Sequence, residues 1–414
     1  MIMFLKIKEK ISTIAILHFV LKGVYHQFLY AGAFLKEFFL LVKSCFPLKK
    51  LLNGEKCYNL YFMHRGGGGN EVYVQNILRG KSDYILLRNM RLFNDREIYR
   101  LEFGENKQKL FVSLKKIARL NGVVRNVFVE NLWGYKHIES ILKFIASFSA
   151  RIVFKVHDLY SLCYNGNMVK NNTYCGLTCS DSCSLLINNR VYNPSEWRCL
   201  WKDFFACVDE FVFFSQSTKD IFSLIYKIPD EKMTIKPHNM DYFKTLAIKN
   251  LPAKMNVGVF GIIDSDAKGL TILKNFAEFS IGKDYKICMN GAVGESNLDV
   301  FCRNDNFVQY GKYKKEEIYE RLVSQKIGVV FFTSICPETF SYVVSELMLT
   351  GIPIACFDIG AQAEKIKKYP LGQIITNYSC ESILDTLNVC YKRGLEYYSS
   401  LNRERKERGA IDVK

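Results

Sequence analysis

Two carboxylates, Glu338 and Glu346, lie eight residues apart in the stretch from Val329 to Glu364, VVFFTSICPETFSYVVSELMLTGIPIACFDIGAQAE. An apolar run, Gly328 to Phe332, predicts a buried strand. A loop carrying Pro337 and Glu338 follows, then a helix holding Glu346, a second apolar strand (Ile352 to Phe357) and a turn at Gly360 into another helix. A ligand lying across the start of that helix could meet both acids. The helix dipole and the free amides of its first turn favour a phosphate there. Taken singly, Glu338 could be a first-turn acid stabilised by the dipole, and Glu346 a solvated helix residue.

Other residues have the right types and places for the same chemistry. Lys268, in the loop IIDSDAKG that follows the apolar run VGVFG ending at Gly261, is placed to pair with a diphosphate. His157 and Asp158 close an apolar strand, Arg151 to Val156, and a His at the carboxyl end of a parallel strand faces the ligand side. Arg65 and four glycines, Gly66, Gly67, Gly68 and Gly69, follow the first apolar strand, Tyr58 to His64, and lead into a helix. The turn has neither the GKS ending of a P-loop nor dinucleotide-fingerprint spacing. Its glycines remove side chains from a place where a substrate could approach.

Cys163, Cys175, Cys179 and Cys183 lie in a polar, Asn-rich insertion, residues 159–200. Four thiolates could hold a structural zinc in a loop without its own core, although the spacings are not paired CxxC knuckles. Reduced, unliganded thiols are the alternative. The chain has fourteen Cys in all, most of the others in apolar runs, which points to a reducing compartment.

The elements that must carry these residues alternate between strand and helix. With 414 residues, the chain is too long for one core. A doubly wound pattern begins at Tyr58 and restarts at Asn256 after a Pro-containing linker, so the sequence predicts two Rossmann-like halves with parallel sheets, 51–250 and 251–395. A helical tail, 396–414, ends in NRERKER. Residues 1–50 hold eight Lys against two Glu, a balance of +6, among aromatic and aliphatic residues. They could lie on an anionic membrane surface or pack as helices on the first domain. No apolar run there is long enough to span a bilayer. A formal charge of +16 calls for an anionic partner. Because that charge is spread along the chain with no recognised binding module, nucleic acid is the least expected of such partners.

Taken together, RGGGGNEVYV, the VHD ending at Asp158, PHNMD at 237–241, the FG and KG of the second half, PETFSYVVSE and GIPIACFDIGAQAE resemble the retaining, nucleotide-sugar-dependent glycosyltransferases of the family-four type. The HDLYSLC block with its later cysteines is similar to a subgroup from bacterial O-antigen, rhamnan and other surface-polysaccharide assembly. The resemblance implies an α/β chain of GT-B fold, two Rossmann-like domains facing across a cleft, in the cytoplasm and peripheral on the inner face of the membrane. It makes Glu338 the carboxylate at the donor sugar and Glu346 the one at the ribose. Lys268 and amides near Thr339 and Phe340 would hold the diphosphate, with Gly261 and Gly360 on the donor side. His157 would sit beside the reacting sugar, and Arg65 with Gly66 to Gly69 at the donor phosphate or the acceptor.

One departure stands out. Where such enzymes often carry an Arg shortly before the Lys, this chain has Ile263, Asp264 and Ser265. The resemblance implies transfer from a nucleoside diphosphate sugar to a lipid-linked or glycan acceptor, without a catalytic metal or other cofactor. A GT-B epimerase and a non-catalytic sugar-nucleotide-binding scaffold subunit are the competing functions.

Overall fold

The computed structural model describes residues 57–65, 67–91, 97–104, 108–178, 183–187, 190–294, 301 and 304–411. The basic segment 1–50 and the tip of the C-terminal tail lie outside them. Chain contacts divide the protein into two compact units, 1–154 with 207–209, and 155–206 with 210–414.

In the first unit the described strands are β1 (Tyr58–Met63), β2 (Tyr84–Arg91), β3 (Glu97–Phe103), β4 (Gln108–Val112), β5 (Val124–Val129) and β6 (Arg151–Lys155). They follow one another in the order β6-β5-β1-β2-β3-β4. Pairing is parallel from β6 to β2 and antiparallel across β2–β3 and β3–β4. The parallel part follows the alternating pattern of the sequence, with helices α1 (Gly69–Leu78) and α2 (Ile138–Ala146) as crossovers. Apolar residues of α2, Ile138, Ile141, Leu142 and Ile145, are buried at helical spacing, which is why this segment folds as an amphipathic crossover. The antiparallel edge is an addition to the expected parallel sheet. Strand β3, EIYRLEF, has charged residues among its apolar ones and pairs by antiparallel register rather than through a crossover.

The second unit begins with two small ribbons, β7 (Val169–Lys170) with β8 (Thr173–Tyr174), and β9 (Leu185–Ile187) with β10 (Arg190–Tyr192). Helix α3 (Pro194–Phe205) opens with a capping box, Asn193 accepting from the Glu196 amide at 2.8 Å while Glu196 accepts from the Asn193 amide at 3.1 Å. It buries Trp197 and Trp201, and the Trp197 indole donates to the Tyr160 carbonyl at 2.7 Å. The parallel pair β11 (Glu210–Phe213) and β12 (Met233–Ile235) flanks α4 (Gln216–Ser223).

The rest of this unit is a parallel six-stranded sheet. Its strands are β13 (Asn256–Ile263), β14 (Ile287–Val293), β15 (Phe307–Gly311), β16 (Ile327–Phe332), β17 (Ile354–Phe357) and β18 (Gly372–Ile375), ordered β15-β14-β13-β16-β17-β18. The crossovers include α5 (Leu270–Phe279), α6 (Ile318–Ser324), α7 (Tyr342–Thr350) and α8 (Gly360–Lys368), and α9 (Cys380–Ile411) closes the chain. Strand order reverses at β13 and β16, the position where doubly wound sheets open a ligand crevice at their carboxyl ends. All six residues of β16 are buried, as a central parallel strand covered on both faces requires. Phe276, Phe331 and Phe357 form the middle of the core on one face, and Phe260, Leu322, Val344 and Ile366 on the other. At the carboxyl ends of β13 and β14, Gly291 lies so close to Gly261 that a Cβ on it would fall 1.7 Å from the Gly261 carbonyl oxygen. Among the described residues, no helix is long and apolar enough to cross a membrane.

Candidate functional site

The second unit gathers the site at the carboxyl ends of β13 and β16. After β13 the chain passes through Asp264 and Ser265 into a short 3-10 turn, Asp266–Lys268, and Gly269 in a left-handed conformation (φ 82°) starts α5. The segment following β16 lies directly against this turn. Thr333 Oγ1 donates to the Lys268 carbonyl at 2.6 Å, Ser334 Oγ to the Ala267 carbonyl at 3.1 Å, and the Ile335 and Cys336 amides to the same carbonyl at 3.1 and 3.2 Å. A Cβ at Gly269 would stand 2.1 Å from the Thr333 oxygen, so this approach needs glycine on two counts, contact and φ.

That clamp sets the Lys268 ammonium 2.5 Å from Glu338 Oε1. Glu338 raises the Lys268 pKa, against the opposing effect of burial. Burial pushes the Glu338 carboxyl up, but the Lys268 charge and hydrogen bond more than reverse this and leave it below its ordinary value. Both groups are therefore held charged. Glu338 precedes the first residue of α7, Tyr342, by four positions, so it is a loop acid and not a first-turn acid.

Helix α8 fixes the rest of the loop. Gln362, with no exposed surface, donates from Nε2 to the Cys336 carbonyl at 2.7 Å and accepts from the Glu338 amide at 3.1 Å. The Ala361 amide donates to the Glu338 carbonyl at 2.9 Å. Gly360 (φ 66°) lets the two segments meet: a Cβ there would lie 2.6 Å from Pro337 Cα and 2.8 Å from the Glu338 nitrogen. Thr339 Oγ1 donates to the His157 carbonyl at 2.8 Å, and the Thr339 carbonyl accepts from Thr218 Oγ1 at 3.4 Å. Thus His157, Thr339 and Phe340, expected on one ligand, do fall together. The His157 ring packs on Phe214 at 4.5 Å and near His238 at 5.7 Å, and His238 stacks on Phe340 at 4.4 Å. Burial drives the His238 pKa down to about 2, with His157 adding to the shift, so its ring is neutral.

Glu346 projects from α7 and is only 9% exposed, which excludes the solvated alternative. The Tyr242 hydroxyl donates to its Oε1 at 3.1 Å, and Lys315 Nζ lies 4.1 Å from the centre of the Tyr242 ring. Burial raises the Glu346 pKa, partly offset by the Tyr242 hydrogen bond. The Glu346 environment is thus the opposite of the Glu338 one. One acid is ion-paired, and the other is buried beside a hydroxyl.

The remaining candidates stand elsewhere. Arg65, Gly67, Gly68 and Gly69 are exposed at the start of α1 in the first unit, with open space around Gly67 and Gly68, while Gly66 lies outside the described residues. Cys163, Cys175 and Cys183 line one cavity of about 140 Å³ with Lys170, Asn165 and Trp197. Cys163 Sγ donates to Asn165 Oδ1 at 3.0 Å, and Lys170 Nζ donates to Cys183 Sγ at 3.4 Å. Cys179 lies outside the described residues, and among those described no three His, Cys, Asp or Glu are grouped to hold a metal.

No family model and no curated protein sequence matches the chain. Solved structures do. Sucrose-phosphate synthase from Thermosynechococcus elongatus superposes with a TM-score of 0.55 at 12% identity, over 87% of this chain and 100% of that one. Anabaena HepE, in complex with UDP, gives 0.52 at 13% identity over 86% and 100%. The lipopolysaccharide outer core galactosyltransferase WaaB, in its apo form, gives 0.53 at 11% identity over 81% and 90%. The fold is GT-B. These likenesses extend over most of the chain and show the fold that the resemblance implies.

Three residues packed at this site are not marked as site residues by the sequence alone. Gln362 and Lys365 look like solvent-facing positions of a polar helix, and His238 is one residue of the PHNMD turn. Each gains its place from tertiary contact. Burial of Glu346 gives a test. Its raised pKa means that the folded protein binds more protons than the unfolded chain between the ordinary glutamate value and the raised one, so stability falls as pH rises through that window. Glu346→Gln removes the penalty. The variant is expected to unfold at a higher temperature than wild type at neutral pH, and to lose this advantage below about pH 4, the region of the ordinary carboxylate pKa. Thermal unfolding across pH checks it.

Proposed function

We propose that the chain is a glycosyltransferase that moves a sugar, with retention, from a nucleoside diphosphate sugar to a glycan or lipid-linked acceptor in surface-polysaccharide assembly. The observation that carries this is the charged Lys268–Glu338 pair on a loop that leads into α7, at the switch point of a GT-B sheet. Lys268 and the amides of Thr339 and Phe340 are assigned to the diphosphate, Glu338 to the donor sugar, and Glu346 to the ribose hydroxyls. A buried carboxylate already accepting from one hydroxyl, that of Tyr242, is chemically suited to a diol. Gly261 and Gly360 are assigned to close backbone approach on the donor side, His157 to the reacting sugar, and Arg65 with Gly66 to Gly69 to donor phosphate or acceptor. HepE in complex with UDP-glucose supports the nucleotide-sugar class, and the lipopolysaccharide transferase WaaB supports the polysaccharide setting. The basic segment 1–50 would bring the protein to the cytoplasmic face of an anionic membrane.

In the reaction, the bond between the anomeric carbon and the diphosphate oxygen breaks, and the acceptor oxygen bonds to that carbon on the same face. The acceptor proton passes to the departing phosphate oxygen. Lys268 stabilises the charge that develops there, and the carboxylate of Glu338 lies opposite the positive sugar. The chain's own residues supply both charges, so no metal is needed for this step.

A scaffold subunit that binds the nucleotide sugar without turnover is the second reading, favoured by the absence of an arginine at 263–265. Release of nucleoside diphosphate from UDP-, GDP- and dTDP-sugars, with membrane glycolipids as acceptors, separates the two. Turnover by wild type, lowered on the order of 100- to 1000-fold in Lys268→Ala and abolished or nearly so in Glu338→Gln, supports the transferase. Nucleotide-sugar binding without turnover supports the scaffold, and normal transfer by Glu338→Gln contradicts the assignment of that residue.

A structural zinc on Cys163, Cys175, Cys179 and Cys183 is a separate proposal, motivated by four cysteines in one insertion, 159–200; the three described thiols line one cavity but are not grouped to hold a metal by themselves. Elemental analysis of purified protein is expected to find about one zinc per chain. Four freely titrating thiols and no zinc would overturn it.

A further inference from the structure

Lys365 projects from α8 toward the turn that joins Glu338 to α7. Its Nζ donates to the Phe340 carbonyl at 2.5 Å and, more weakly, to the Ser341 carbonyl at 3.5 Å. It also donates to Ser345 Oγ in the first turn of α7, and lies 3.4 Å from the centre of the Phe340 ring. One ammonium thus holds two consecutive carbonyls, a helix hydroxyl and an aromatic face, all in one turn. The turn needs holding. Ser341 sits in the left-handed region (φ 61°), which a non-glycine residue keeps only where its surroundings impose it. The amides assigned to the diphosphate, those of Thr339 and Phe340, belong to the same turn.

We propose that Lys365 is a positioning residue that holds the 339–341 turn in the shape that receives a diphosphate, and that it takes up a proton when the diphosphate binds. The inference rests on the assignment of this turn to a nucleoside diphosphate. Charge is what makes Lys365 more than a strut. Burial lowers its pKa to about 7, against the raising effects of Glu338 from the loop and Glu364 from its own helix. The other groups around it do not neutralise it. Glu338 is already paired with Lys268, and His238, which faces it from the segment after β12, is a neutral ring. From α7 comes the Ser345 hydroxyl, and from α4 the Ser217 amide, which donates to Glu364 at 2.8 Å. Near neutrality the free protein therefore carries Lys365 in both protonation states. A dianionic ligand beside the turn favours the charged form, and each bound diphosphate draws the remaining fraction of a proton from solvent. This supplies a second cation at a site whose sequence has none at 263–265.

Calorimetric titration of the full chain with UDP, GDP or dTDP, repeated in buffers of different ionisation heat, reads that proton directly. At about pH 8.5 wild type is expected to take up close to one more proton per nucleotide than Lys365→Arg, whose guanidinium is always charged; at about pH 5.5 the two should not differ. Lys365→Met is expected to bind at least about tenfold more weakly, with Lys365→Arg recovering much of the loss. Circular dichroism shows whether Lys365→Met is folded, and Lys365→Arg decides the proton if it is not. Equal proton uptake by wild type and Lys365→Arg, or unchanged affinity in a folded Lys365→Met, would overturn the proposal. A wild type that binds none of the three nucleotides refutes instead the reading of the site on which it rests.

Discussion

The Lys268–Glu338 ion pair is the constraint that the rest of the second unit serves. A carboxylate held on a buried loop is costly unless a cation meets it, and removing one partner leaves the other charge stranded. Meeting that need requires the turn after β13 and the loop after β16 to lie in contact, which only a glycine at 269 permits. It also requires α8 to approach the loop from the other side, where Gly360 leaves room and Gln362 satisfies the backbone on both sides of Pro337. The pair is at once a structural clasp and a store of charge. Any anion arriving at Lys268 would compete with Glu338 for the same ammonium.

The two acids show how environment divides like residues. Glu338 and Glu346 are the same side chain eight positions apart, yet one is kept ionised by a cation and the other has its charge disfavoured by burial. A fold selected for stability alone would bury neither. Ser341 in a left-handed conformation, Lys365 desolvated under the same turn and the buried carboxyl of Glu346 each add free energy to the folded state. Strain and perturbed charge of this kind concentrate where a protein binds or reacts.

Much of this was legible in the residues. The alternation of apolar strands with helices predicts both doubly wound sheets, because parallel strands buried on two faces read as continuous apolar runs such as Ile327–Phe332. The Glu338 spacing, the KG after VGVFG and the His at the end of a strand point to residues that the structure does bring together, Lys268 with Glu338 and His157 with Thr339. Strand β3 was not legible, since EIYRLEF mixes charge into its apolar pattern and owes its place to antiparallel neighbours. Nor was the framework beneath the site. Lys365, Gln362 and Tyr242 are polar residues on a helix and in a linker, and their burial is created by segments distant in sequence.

The central claim is that Lys268 and the turn after Glu338 form a diphosphate site. The most direct test compares the affinity of the full chain for UDP, GDP and dTDP with that for the matching nucleosides. If the claim holds, at least one diphosphate binds about 100-fold more tightly than its nucleoside, the worth of two charge-assisted contacts, and Lys268→Ala removes most of that difference. Equal affinity for diphosphate and nucleoside, or a preference for diphosphate that survives Lys268→Ala, would contradict it.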